Sequence, residues 1–247
     1  MYLPIVKKKF LLYLSLVLAW LPALSQSDNS ISAILEAREE LIRKNHEKLY
    51  VSHVLTGKKY DMKYIGSINS QFFRDRYPSY GTLLYDGVYF DQIEIQLDIY
   101  QEKVVVLLES KKNEQFVTID SEKVSEFTFK NYKFVHIRND SIMSDGFYQH
   151  AFQGQHINTY IKRKKLKKDK IENTKMIIEF LPHDKYYIKN DWGTFAITNK
   201  KSFLEAFQNS TAAASIVKKN KIKFSKKKIE KGVLTAIPLL DPLLTDN

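Results

Sequence analysis

Hydrophobic positions change their period twice along this chain. Between Ser30 and Leu49 the apolar residues Ile31, Ile34, Leu35, Leu41, Ile42 and Leu49 recur at helical spacing, with Ser30 placed to cap. Glu39 with Arg43 and Glu40 with Lys44 add i,i+4 pairs that favour the helix. Arg38 falls inside the apolar stripe, where a long side chain reaches the rim with its charge in water.

From Lys58 the period becomes two. Ile93, Ile95, Leu97 and Ile99 alternate with Glu94, Gln96 and Asp98, which predicts a strand with one wet face. Val104 to Leu108 is apolar on both faces and predicts an interior strand. Asp86-Gly87 between two strand-like runs is a strong hairpin signal, since both residues tolerate positive φ. Further strands are predicted at Phe116 to Ile119, Val124 to Phe129 and Tyr132 to Ile137, the last two joined by Lys130-Asn131. Gly146 to His156 and Gln155 to Lys162 read as a hairpin around Gln153-Gly154, and Lys185 to Lys189 pairs with Thr194 to Thr198 across Asn190 to Gly193. Connections this short require antiparallel neighbours.

After Asn199 the helical period returns. Ser202 to Glu205 reads as a capping box for a helix with Phe203, Leu204 and Phe207 on one face. A second helix is predicted from Ser210 or Thr211, burying Ala214 and Val217. A third runs from about Lys226 to Ala236, with Ile229, Val233 and Ile237 in register and Pro238 and Pro242 as its stop. The pattern therefore predicts an α+β fold, mainly an antiparallel β-meander: a curved sheet, half-barrel or sandwich. Its divisions are an N-terminal helix within residues 26–50, a β domain over 51–198 and a helical segment over 199–247 packed on it.

Residues 1–25 stand apart. Lys7 to Lys9, the apolar run Phe10 to Leu21 and the small-residue exit Ala23-Leu24-Ser25 predict a secretory signal peptide cleaved before Gln26. The apolar run is shorter than the roughly 20 residues that span a bilayer. The chain has no cysteine, which excludes disulfides, thiolate metal sites, cysteine nucleophiles and a lipoprotein anchor. Export without cystines fits a bacterial periplasm or outer-membrane surface. The net charge is +11, of which the signal carries three lysines. For an exported protein that excess points to an anionic lipid or glycan, or to an acidic protein partner in the envelope, and not to nucleic acid.

Catalytic motifs are lacking. There is no Gly-x-Ser-x-Gly elbow and no phosphate-cradling glycine loop, and the chain has only eight glycines. No two of the six histidines sit in a metal-ligand spacing; the nearest pair, His150 and His156, points to opposite faces of a two-residue hairpin unless a bulge intervenes. No metal or other cofactor is expected. Asp86, Glu94 and Asp98 are the carboxylates that a fold could gather into a glycosidase-like pair.

The candidate contact residues are basic and aromatic. Lys162, Arg163, Lys164, Lys165, Lys167 and Lys168 lie in the densest charge run, Lys162 to Lys170, which self-repulsion predicts to be a solvated loop. Tyr186, Tyr187 and Trp192 surround one turn and are the better-placed exposed aromatics. Lys218, Lys219, Lys221, Lys223, Lys226, Lys227 and Lys228 form a second basic cluster.

A series of short motifs is also present in order: Phe72-Phe73, Gly81 to Tyr89, Leu97 to Tyr100, Gly146-Phe147-Tyr148, the Lys162 to Lys168 run, Lys185 to Ile188, Lys200 to Leu204 and Lys218 to Phe224. In these the chain resembles an uncharacterised exported, β-rich family of Bacteroidota over roughly Leu49 to Val233. It departs from the family at Val51-Ser52 and Gly154. The resemblance implies compartment and fold and assigns no activity. The expectation is a non-enzymatic envelope protein that binds a protein partner or an anionic or lipidic ligand. The alternatives are a lipoprotein-carrier-like lipid binder and an envelope glycan or lipid hydrolase.

Overall fold

The computed structural model describes residues 36–42, 57–110, 113–172 and 175–244. The predicted signal peptide and most of the predicted N-terminal helix lie outside them. Residues 36–42 are helical (α1) within a separate unit, Met1–Glu47, and Arg38 is exposed there.

The second unit is built on an antiparallel sheet. Its strands are β1 (Lys58–Lys59), β2 (Ser79–Tyr85), β3 (Val88–Asp98), β4 (Lys103–Ser110), β5 (Asn113–Thr118), β6 (Val124–Phe129), β7 (Tyr132–Ile137), β8 (Gly146–Gln153), β9 (Asn158–Lys162), β12 (Lys185–Asn190) and β13 (Gly193–Ile197). A separate pair, β10 (Lys165–Glu172) and β11 (Lys175–Pro182), projects between β9 and β12. The sheet order is β1-β5-β4-β3-β2-β6-β7-β8-β9-β12-β13. The α+β class and antiparallel pairing hold. The meander is interrupted where β6 pairs with β2 instead of β5.

That interruption bends the sheet. Thr118 to Val124 spans about 20 Å when fully extended, whereas four strand intervals in a flat sheet are about 19 Å. The link also contains a 3₁₀ turn, Ser121–Lys123, which shortens it. The connection therefore closes only if the sheet curls. Turn chemistry elsewhere matches the sequence: Asp86 and Gly87 have φ of 51° and 75°, and Lys130 and Asn131 of 51° and 61°, as type I′ turns demand.

Interior packing falls into two main cores. Phe73, Phe127, Phe129, Phe134 and Phe147 interlock over β2 to β8, with Phe127 and Phe134 stacked 5.1 Å apart. The second core joins Ile188 and Ile197 to three helices, α2 (Lys200–Glu205), α3 (Thr211–Lys219) and α4 (Ile229–Leu240). The helices thus pack on the β12–β13 end of the sheet.

Several expectations need correction. The polar face of β3 is not wet throughout, because Tyr60 and Phe72 cover it and bury Gln96 and Asp98. This cover is also why Val105 is buried opposite Val104 and Val106. The β8–β9 loop has four residues, Gly154 to Ile157, where Asp241 organises the backbone. Helix α2 is capped one turn earlier than expected, by Asn199 with Ser202 as its reciprocal partner. Ala213 is buried in α3 and Ala214 is exposed. Pro238 does not stop α4, which continues through Ile237 and Leu240 because both are buried in the core.

Candidate anion-binding site

The run Lys162 to Lys170 is not a solvated loop. It is the end of β9, a two-residue link and most of β10, and its first members are built into the interior. Lys162 is 4% exposed and Arg163 7%. Lys162 Nζ lies 2.6 Å from Glu102 Oε2, 3.2 Å from the Asp145 carbonyl oxygen and 4.8 Å from the Tyr148 ring centre. Lys164 takes the other Glu102 oxygen at 2.9 Å. Burial alone would raise the Glu102 carboxyl, but hydrogen bonds from Lys162 and Lys164 hold it below the ordinary carboxylate range.

Arg163 is more fully engaged. Its Nε donates to Gln149 at 2.8 Å, Nη1 to Asp184 at 2.6 Å and to Glu230 at 2.8 Å, and Nη2 to the second Glu230 oxygen at 2.7 Å. The fork geometry suits a bidentate carboxylate. Hydrogen bonding from Arg163 holds the Glu230 carboxyl low against its burial. This arrangement ties α4 to the sheet. Lys165 donates to the carbonyls of Ser70 and Phe72, at 2.5 and 2.7 Å, and burial lowers its ammonium pKa. Lys167 pairs with Asp169 at 3.0 Å, and Lys168 is exposed.

The aromatic candidates divide. Tyr187 is buried with Tyr148 at 5.7 Å, so it is a core residue. Tyr186 is half-buried and donates to Glu230 at 3.4 Å; burial, with the nearby Glu230 charge, pushes its phenol up to about 12. Trp192 is exposed in the β12–β13 turn.

Two of the carboxylates weighed for catalysis, Asp86 and Asp98, are kept apart. Asp86 and Asp98 flank β3 at opposite ends, about 40 Å of extended chain apart. Asp98 is buried and accepts four hydrogen bonds: 2.5 Å from Tyr60 Oη, 2.9 Å from the Tyr100 amide, and 2.8 and 3.1 Å from the amide and side chain of Gln101. His150 and His156 do not meet. A bulge at Ala151 does arise, but His156 sits in the loop 3.4 Å from Asp191, while His150 bonds Asn158 at 2.9 Å. Glu122, His136 and Asp145 bring ligand atoms within 4.8 Å of one another, yet the Arg138 guanidinium already stands 3.7 Å from Glu122.

The second basic cluster is arranged differently. Lys221, Lys223, Lys227, Lys228 and Lys231 line a pocket of 380 Å³ together with Asn220, Ile222, Gly232 and Thr235. No carboxylate lines it, and none of these five lysines has a carboxylate partner among the described residues.

Local folding explains how the lysines converge. At the end of α3 the Ile222 amide donates to Val217 O at 3.0 Å and the Lys221 amide to Lys218 O at 3.2 Å, a Schellman closure. Lys221 holds its left-handed position, φ 51°, where glycine is the unstrained choice. The turn then folds back onto α4 at Gly232. A Cβ there would lie 2.6 Å from the Lys223 carbonyl oxygen, so only glycine permits the approach.

The N-terminus of α4 adds to the positive potential. Its Ncap residue is Lys228, with no side-chain hydrogen bond to the first turn. Lysines at this end oppose the helix dipole, and Glu230, the one acid in the first turn, is engaged by Arg163. Lys231, Gly232 and Thr235 were missed as site residues by sequence reasoning. The usable signal was Lys231 following Lys226, Lys227 and Lys228 by three to five positions, within the first turn of the helix.

No protein-family model, curated protein or solved structure matches the chain. Among the described residues no helix is long and apolar enough to cross a membrane.

Proposed function

We propose that this protein is a non-enzymatic, exported envelope protein that binds a polyanionic ligand, a phosphate-bearing lipid or glycan headgroup, in the α3–α4 pocket. The single observation that carries the reading is the convergence of five lysines on one pocket without a compensating carboxylate. Like charges gathered on one pocket repel one another, and those at the start of α4 oppose the helix dipole. A bound anion would relieve both costs at once. Support for a binding role also comes from the carboxylates: the buried Asp98 and the part-buried Glu102, Glu230 and Asp241 all have their oxygens occupied by donors.

Titration calorimetry with inorganic tripolyphosphate tests this. Saturable binding should weaken as ionic strength rises and fall at least tenfold in a Lys227→Glu, Lys231→Glu double variant. Binding that is absent, or unchanged by those charge reversals, would remove the pocket from consideration.

A further inference from the structure

Three elements meet at one end of the sheet: the 3₁₀ turn Ser121–Lys123 that leads into β6, the end of β7 and the start of β8. They bring together Glu122, His136 and Asp145, whose spacing in the sequence forms no ligand motif.

His136 is fixed in place. Its side chain is 2% exposed, and its ring packs on Phe147 with centres 4.7 Å apart. Nδ1 lies 3.1 Å from the Val124 carbonyl oxygen, which can only accept, so Nδ1 carries a hydrogen. In the neutral ring Nε2 then presents a bare lone pair, and it faces Asp145 Oδ1 at 2.8 Å. Two acceptors at that distance repel. Only a cation, a proton or a metal ion, makes the contact favourable. A backbone carbonyl on Nδ1 is also the partner that orients a metal-binding imidazole.

The spacing suits a metal. Ligand bonds of about 2.1 Å that meet near a right angle set their donor atoms about 3 Å apart, close to the separation of His136 and Asp145. The Glu122 carboxylate lies within 4.8 Å of both. A shift of under about 1 Å would bring it to the same ion, and its side chain, 75% exposed, has room to make it. Arg138 does not hold it back. The Arg138 Nη2 donates to the carbonyls of Glu122 and Val124 at 2.6 and 3.1 Å, whereas its Nε stays 3.7 Å from the Glu122 carboxylate, beyond hydrogen-bonding distance. Two carboxylates against one guanidinium leave the cluster net negative.

We propose that Glu122, His136 and Asp145 bind a divalent transition-metal ion, and specifically zinc, which accepts both imidazole and carboxylate, with water completing its shell on the exposed side. The ion ties the β5–β6 crossover to β7 and β8. The assignment goes beyond the lysine pocket and does not depend on it.

The full chain, stripped with EDTA and moved into chelator-free buffer, is titrated with zinc chloride in a calorimeter. One ion per chain should bind, and the thermal midpoint should rise with zinc concentration, as for any ligand held by the folded state alone. His136→Gln should abolish this binding, and Asp145→Asn and Glu122→Gln should each weaken it about tenfold or more. Circular dichroism checks the fold of each variant. Asp145 is 58% exposed, so Asp145→Asn keeps the test decisive even where His136→Gln does not fold. No zinc uptake overturns the proposal and leaves His136 and Asp145 as a plain ion pair. Uptake that survives Asp145→Asn and His136→Gln undiminished overturns it as well, and places the ion on other histidines.

Discussion

A Cβ on Gly154 would overlap the carboxylate of Asp241. That carboxylate accepts the amides of Gln155, His156 and Ile157 at 2.9, 3.0 and 2.8 Å, so the residue after α4 organises a loop in the sheet 84 or more positions away. Burial alone would raise the Asp241 carboxyl, yet these three amides hold it below the usual range. Gly154→Ala should therefore expel the carboxylate and destabilise the protein by about 1 to 2 kcal/mol, the cost of unpairing part-buried polar groups, chiefly the Ile157 amide. Urea unfolding of the variant measures it. A stability equal to wild type would mean that the loop shifts freely.

Arg163 has four hydrogen bonds and two carboxylate partners in the interior. Removing it strands the charges of Asp184 and Glu230, so Arg163→Ala should cost about 3 kcal/mol or more. Arg163→Lys should recover only part of this, since an ammonium cannot span both Glu230 oxygens. Thermal unfolding of both variants provides the comparison; equal melting points for Arg163→Lys and wild type would count against the bidentate fork.

Glu102, Glu230 and Asp241 share one direction of shift, downward. A depressed folded pKa stabilises the protein above the unfolded value and loses that contribution as pH falls through the folded one. Stability should be level from neutral pH to about 5 and then decline below about 4, where ordinary carboxyls protonate. Asp241→Asn should lower stability at pH 7 and flatten part of the acid decline. Denaturation midpoints followed across pH check both, and a midpoint that rises on acidification would contradict the sign.

Lys221 separates stability from binding. Its φ of 51° is unstrained only for glycine, so Lys221→Gly should stabilise the fold by about 0.5 to 1 kcal/mol. The same change removes one pocket lysine and should weaken tripolyphosphate binding several-fold. Opposite movement of the two readouts is the expected result. A variant both more stable and equally tight would show that Lys221 does not face the ligand.

Much of the fold was legible because its causes are local. Asp86-Gly87 and Lys130-Asn131 dictate their own turns through backbone conformation, and the alternation of Ile93, Ile95, Leu97 and Ile99 marks β3 without reference to anything distant. Charge was harder to read. Lys162 and Lys221 both lie in lysine-rich runs, and nothing in either run shows that the first holds ion-paired core residues and the second lines an open pocket.

The sequence by itself determined most of the antiparallel strands, though not β10 and β11, together with their tight hairpins, the helical C-terminal segment and the excess of positive charge. These follow from periodicity, turn chemistry and composition, each set within a dozen residues. Tertiary structure alone decided which charges meet. It brought Glu102 to Lys162, Glu230 to Arg163 and Asp241 to the Gly154 loop, while leaving the lysines of the α3–α4 pocket without carboxylate partners among the described residues. The physical reason is that burial and pairing depend on partners 60 to 86 residues away, at distances over which local pattern carries no information.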